Sequence, residues 1–135
     1  MAQQLNPYIT FNGDCAEAMA FYAQVLGGTL HVSTFRESGM DVDGVMHASL
    51  DTDAGFHLFA SDFAEGMGEY RYGTNVQVSL SGDDADALNG YWAGLSEGAT
   101  VTVPLQRQMW GDDYGQLVDR FGILWHVNIA GGAQA

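Results

Sequence analysis

Lysine is absent from the 135 residues, and the fixed cations are Arg36, Arg71, Arg107 and Arg120. Against 17 Asp and Glu this leaves a formal net charge of −13. Contacts to phosphate need clustered Lys or Arg, so nucleic acid and anionic membranes are excluded as partners. The single cysteine, Cys15, cannot close an internal disulfide or build a thiolate zinc site. The opening residues Met1–Gln4 carry no basic charge and no apolar run reaches membrane-spanning length, so no signal peptide or membrane span is expected, and the expected setting is cytoplasmic. What the chain has is core material: 47% hydrophobic residues, with 3 Trp, 6 Tyr and 7 Phe. That amount suits one compact domain, or two small halves sharing a core.

Two stretches of the chain resemble each other. Laying Gly13 over Gly82 also pairs Asp14 with Asp83, Ala16 with Ala85, Ala18 with Ala87, Tyr22 with Tyr91 and Leu26 with Leu95. Each copy follows one extended apolar stretch and precedes another, so the chain reads as two strand–helix–strands units. In the first helix Asp14 is the expected N-cap, and Cys15, Ala18, Met19, Tyr22, Val25 and Leu26 recur at helical spacing. Gly27 and Gly28 close it. In the second copy Asp83 is the expected cap, with Leu88, Tyr91, Trp92 and Leu95 as the stripe and Gly98 as the stop. Cys15 lies on the buried stripe and is expected to be an inert small hydrophobe.

The remainder reads as strands over 5–11, 29–35, 44–50, 56–61, 74–81, 100–104, 114–119 and 123–129, giving β-α-β-β-β twice. The linker falls at 62–73, with Gly66, Gly68, Gly73 and a mobile Met67. Alternation then sorts the strand residues into two faces. One face collects Met46, Ala48 and Leu50; Phe56, Leu58 and Ala60; Val76, Val78 and Leu80; and Ile123, Trp125, Val127 and Ile129. The other carries His47 and Ser49; His57, Phe59 and Ser61; Asn75, Gln77 and Ser79; and Leu124, His126 and Asn128. It is polar but not purely so, as expected of a curved sheet forming a cup. Three of the four histidines lie on it, and His31 is expected to stand apart. Asp119 and Gly122 read as a turn before the last strand.

Several segments together are similar to the vicinal oxygen chelate superfamily, and within it to the PhnB-like branch of glyoxalase/bleomycin resistance-type proteins. They are NPYITFNGDCAEAMAFYAQVLGG (6–28), VMHASL (45–50), LFASD (58–62), VSLSGDDAD (78–86) and WGDDYGQLVDRFGILWHVN (110–128). The resemblance implies an α+β fold in which two βαβββ modules form a curved eight-stranded cup-shaped sheet with the helices on its outer face, usually as a homodimer. It implies a single glyoxalase-like domain over 1–135, with module one at about 1–66 and module two at about 72–135. Relatives have often been labelled ubiquinone methyltransferases, but no nucleotide-binding glycine fingerprint follows a strand here. The superfamily's four metal-ligand positions carry over to Pro7, His57, Gln77 and His126. Proline cannot coordinate, and no carboxylate stands at any of the four. His57, Gln77 and His126 are then the candidate ligands of an open, weak site for Zn²⁺, Ni²⁺ or Fe²⁺.

Three functions follow for comparison. A metal-dependent lyase or dioxygenase of glyoxalase type would use His57 and His126 as ligands, with His47 as the candidate catalytic base. A metal-free binder would hold a small organic molecule, cationic or aromatic, against Ser49, Phe59, Asn75, Gln77, Ser79, Trp110 and Asn128. The acidic shell would attract a cation, and Tyr70, Tyr72 and Tyr114 would help line the mouth of the cup. An inert scaffold would be expected to fill the polar face with packing residues. The metal-free binder ranks first.

Overall fold

A computed structural model describes residues 3–64, 66 and 68–131; Met67 of the expected linker lies outside them. The chain divides into two compact units, residues 1–71 and 72–135. The first runs β1 (Tyr8–Phe11), α1 (Cys15–Leu26), β2 (Thr29–Thr34), a 3-10 turn (Arg36–Ser38), β3 (Val45–Asp51) and β4 (His57–Asp62). The second runs β5 (Val78–Gly82), α2 (Ala85–Leu95), β6 (Thr100–Arg107), β7 (Asp113–Val118) and β8 (Leu124–Ile129). Each is a βαβββ module with a four-stranded sheet, in the orders β1-β4-β3-β2 and β5-β8-β7-β6. The fold is α+β, as expected. The outer pairs β1/β4 and β5/β8 are parallel and the other neighbours antiparallel. Among the described residues no helix is long and apolar enough to cross a membrane.

In module one, α1 packs on β2, β3 and β4. It buries Cys15, Ala18, Met19, Phe21, Tyr22 and Leu26. Beneath it the alternating set Ala48, Leu50, Leu58 and Ala60 is buried with Phe11, whose ring lies 6.5 Å from that of Tyr22. Val25 is only half-buried and Phe21 takes its place in the core. The helix start departs from expectation, because Asp14 makes no side-chain cap. Asp62, at the end of β4, does this instead. Its Oδ1 accepts from the backbone N–H of Gly13 (3.0 Å) and Cys15 (2.9 Å), and its Oδ2 from Val45 N–H (2.8 Å). A carboxylate there satisfies donors that the first turn leaves open and complements the helix dipole.

In module two the cap is Asp84 rather than Asp83. Its side chain accepts from Ala87 N–H at 3.1 Å, because α2 starts one residue later than the repeat suggests. Leu88 and Leu95 are buried, while Tyr91 and Trp92 are half-buried. Trp92 lies over Gly115 of β7: a Cβ there would sit 2.7 Å from the indole Cη2 and 2.9 Å from Leu105 Cα. The glycine five residues after Trp110 is therefore a packing requirement. The β6/β7 register shifts between Val101 and Val103 and again between Val103 and Gln106, and Pro104 falls within the second irregularity on this edge strand, where a missing N–H is tolerated. β5 begins at Val78, not residue 74. Val78 already pairs with Trp125, the second residue of β8, so only Leu124 of β8 lies further upstream and residues 74–76 have no partner there. Val76 is consequently 81% exposed and not part of the core. The first strand is shortened likewise, and Leu5 lies fully exposed ahead of it.

Two outcomes follow from this packing. Gly115→Ala should lower stability by roughly 1–3 kcal/mol through overpacking against Trp92 and Leu105. Gly90→Ala, in the exposed middle of α2 with open space around it, should raise it by about 0.5–1 kcal/mol; urea unfolding of both variants checks the signs. The Cys15 thiol is wholly buried, and burial, followed by the charges of Asp62 and Asp14, pushes its pKa up to about 12. Ellman's reagent should therefore react with Cys15 only as fast as the module opens, and rapidly in denaturant; fast stoichiometric labelling of the native protein would refute this.

Candidate functional site

Each module turns a polar face away from its helix. In module one, Tyr8, Phe59, Ser49 and His31 stand opposite one another across β1, β4, β3 and β2. This corrects the expectation for His31, which shares the face of Ser49 and Phe59: alternation gives a side within each strand, but only register relates one strand to the next. His47, paired with Ser33, lies two residues from Ser49 on the same face. The rings of Tyr8, His47 and Phe59 form a cluster, with centroids 5.8 Å (Tyr8–His47), 5.2 Å (His47–Phe59) and 6.3 Å (Tyr8–Phe59) apart. The Tyr8 hydroxyl lies 3.3 Å from His47 Nδ1. At the other end of the face His57 is the cross-strand partner of Asp51, and its Nδ1 is 2.7 Å from Asp51 Oδ1. Tyr8 and Asp51 were not singled out from sequence, although Asp51 continues the alternation of His47 and Ser49.

Tyr70 does not stand free as a mouth-lining ring. Its hydroxyl donates to Thr10 O at 3.2 Å, and its ring packs edge-on against Phe63 at 5.6 Å.

Module two gathers more of the expected residues. Ser79, His126 and Gln116 are opposed across β5, β8 and β7, and so are Ser81, Asn128 and Tyr114. A hydrogen-bond chain crosses the face. Gln77 Nε2 donates to Thr74 O at 3.2 Å, which leaves Gln77 Oε1 facing His126 Nε2. The other ring nitrogen, His126 Nδ1, meets the Tyr114 hydroxyl. The Tyr114 and His126 rings lie 5.6 Å apart, and Trp110 lies 6.1 Å from Tyr114. Trp110 is 59% exposed, on the tip between β6 and β7. Asn75 sits in the exposed segment ahead of β5, and Tyr72 lies against the turn at Gly122.

Asn128 has a partner that sequence did not suggest. Its Nδ2 donates to Asp112 Oδ2 at 3.0 Å, and Gly131 N–H donates to Asp112 Oδ1 at 2.8 Å. These two bonds, in that order, and then the charge of Arg107 hold the Asp112 carboxyl below the usual carboxylate range. The ionised form is thus the bound one, and its contribution is full above the ordinary range and lost as pH falls through the lowered pKa.

The candidate ligands His57, Gln77 and His126 are each hydrogen-bonded within their own unit. Both nitrogens of His126 are occupied, and its Nε2 meets a carbonyl oxygen that only accepts, so that nitrogen carries a proton. His57 is hydrogen-bonded to Asp51 in the other unit. Among the described residues no three His, Cys, Asp or Glu side chains gather into a ligand group.

The comparisons with known proteins agree with the fold. The family model of the Glyoxalase/Bleomycin resistance protein/Dioxygenase superfamily matches residues 4–127. Protein YjdN of Escherichia coli (strain K12) is 26% identical over 141 residues, spanning 93% of this chain and 94% of its own. An uncharacterized protein of Mycobacterium tuberculosis is 32% identical over 130 residues, covering 91% of this chain and 72% of its own. Among solved structures, protein PA1353 of Pseudomonas aeruginosa matches with a TM-score of 0.85 at 35% identity, over 96% of this chain and 98% of that one. A PhnB protein from Bacillus cereus matches with a TM-score of 0.76 at 18% identity, over 95% and 100% of the two chains, a likeness of fold alone. Residues 4–127 lie within the family model, and the protein belongs to the glyoxalase/bleomycin resistance protein/dioxygenase superfamily.

Proposed function

We propose that the protein binds a small organic molecule, aromatic or cationic, on the polar sheet faces without a metal, its two modules working as one glyoxalase-like domain. The observation that carries this is the run Trp110–Tyr114–His126–Gln77. It presents two aromatic rings beside a hydrogen-bonded imidazole on one side of a sheet. An exposed indole with a second ring at 6.1 Å offers apolar area to a ring, and the polar groups behind it orient the rest of the ligand. The Tyr8–His47–Phe59 cluster offers a similar surface in module one. His47 orients ligand in this reading rather than acting as a base. A net charge of −13 favours cations. Superfamily membership is compatible with this reading, because the architecture hosts binding proteins as well as enzymes. A cytoplasmic homodimer is the proposed setting.

The test is a thermal-stability screen of cationic aromatic compounds, followed by titration calorimetry on the hits. At least one hit is expected, and Trp110→Ala should weaken it by roughly 1–3 kcal/mol, the scale of one aromatic contact. A panel without any stabilisation would refute the reading. Elemental analysis of tag-free protein prepared without chelator decides the competing one. Near-stoichiometric metal, lost in His57→Ala and His126→Ala, would establish a metal site and redirect the search to glyoxalase and dioxygenase chemistry.

A further inference from the structure

The hydrogen-bond chain of module two has a direction, and that direction selects a ligand. A backbone carbonyl only accepts, so Gln77 turns its NH₂ toward Thr74 O and its Oε1 toward the imidazole. Oε1 also only accepts, so the proton of the neutral His126 ring sits on Nε2. Nδ1 is then a bare lone pair, and the Tyr114 hydroxyl facing it is the donor. A phenol has one proton, and here it is spent on His126. What Tyr114 has left to offer a ligand is lone pairs. Beside it, Asp112 is two residues back and is hydrogen-bonded to Asn128, the cross-strand partner of Tyr114. Its carboxyl is held in the charged form. Trp110 supplies the ring surface.

We propose that Tyr114 is a specificity-determining residue whose Oη accepts a hydrogen bond from the ammonium group of a protonated arylalkylamine, with the amine's ring on Trp110. The inference rests on the ligand-binding reading above and adds to it a requirement for an N–H donor, beyond positive charge alone. Three probes with the same indole ring separate these requirements. All three keep the indole N–H; tryptamine adds an ammonium group with charge and N–H donors, its N,N,N-trimethyl derivative adds charge without ammonium N–H donors, and 3-ethylindole adds neither.

Calorimetry in mildly alkaline buffer keeps imidazole neutral and the alkylamine charged. Wild-type protein should bind tryptamine about tenfold more tightly than the trimethyl derivative, the scale of one hydrogen bond involving a charged group. In Tyr114→Phe that ratio should fall to about one, with ethylindole binding unchanged. Gln77→Leu, in the exposed segment ahead of β5, releases the His126 ring without touching a strand and should reduce the ratio as well. Equal binding of the two cations by wild type, or an undiminished preference in both variants, overturns the inference and leaves ligand binding standing. Failure of all three probes to bind overturns the ligand-binding reading and the inference with it. Nitrogen-15 spectra of the His126 ring give a check that needs no ligand: a protonated Nε2 and bare Nδ1 are expected, and the opposite tautomer overturns the inference.

Discussion

Two buried carboxylates hold the modules in shape, one in each. Asp62 is 3% exposed and Asp119 is 4% exposed. Asp62 accepts three backbone N–H groups, from the two residues that bracket the start of α1 and from the first residue of β3. Asp119 accepts from Phe121 N–H (2.8 Å) and Ile123 N–H (3.1 Å) through Oδ1, and from the Trp125 indole (2.8 Å) through Oδ2. A hydrogen bond to a charged group contributes about 1.5–3 kcal/mol, and a buried donor left unpaired costs about 1–3 kcal/mol. These side chains are therefore costly to lose and decide how neighbouring elements meet. Asp62 pins the end of β4 to the beginning of β3, so His57 and Phe59 oppose Asp51 and Ser49. Asp119 pins the turn from β7 to β8, so Gln116 and Tyr114 oppose His126 and Asn128. A slip of one residue at either place would send the site residues into the core face.

The two modules share a topology but solve this constraint at different points. Module one places its carboxylate at the end of its fourth strand, and module two in the turn before its fourth strand. The Asp119-x-Phe121-Gly122-x-x-Trp125 spacing is explained by this: the carboxylate collects the turn's N–H groups, Gly122 supplies a φ of +88°, and the indole reaches back. The outward faces have diverged as well. Module one shows a cluster of three rings, and module two a directed hydrogen-bond chain ending on a tyrosine.

The parts of this architecture that depend on local period could be read from the sequence. Most of the α1 stripe, the alternation of β8 and the repeat that aligns Leu26 with Leu95 survive in the structure. The alternation fails at the ends of β3 and β4: Met46, expected in the core, is exposed beside a buried Val45 where the register of β2 and β3 shifts, and Ser61 is buried. What depended on distant partners could not be read. The cap of α1 comes from Asp62, far along the chain, so Asp14 was the natural but mistaken choice. The placement of His31 required the register of β2 against β3. Val76 continues an alternating pattern into a stretch that has no partner strand. Asn128 and Tyr114 were recognised as outward-facing, whereas their bonds to Asp112 and His126 depend on a turn whose geometry is not periodic. The family resemblance located His57, Gln77 and His126, but their hydrogen-bond partners decide what they offer a ligand.

The fixed cations are engaged locally, which adds to the global excess of acid. Arg36 is paired with Asp41 and Asp43, Arg71 with Glu69, and Arg107 with Asp113. The Arg120 guanidinium lies 5.2 Å from the Phe121 ring centroid. With lysine absent, every fixed cation has a partner in the structure. The excess of acid is less decisive than it looks, since at physiological salt a net charge is screened beyond about 8 Å. What remains at contact distance is the ionised Asp112 and an acceptor tyrosine on one sheet face. On the proposed reading, overall charge brings cations toward the protein, and these two groups would discriminate among them.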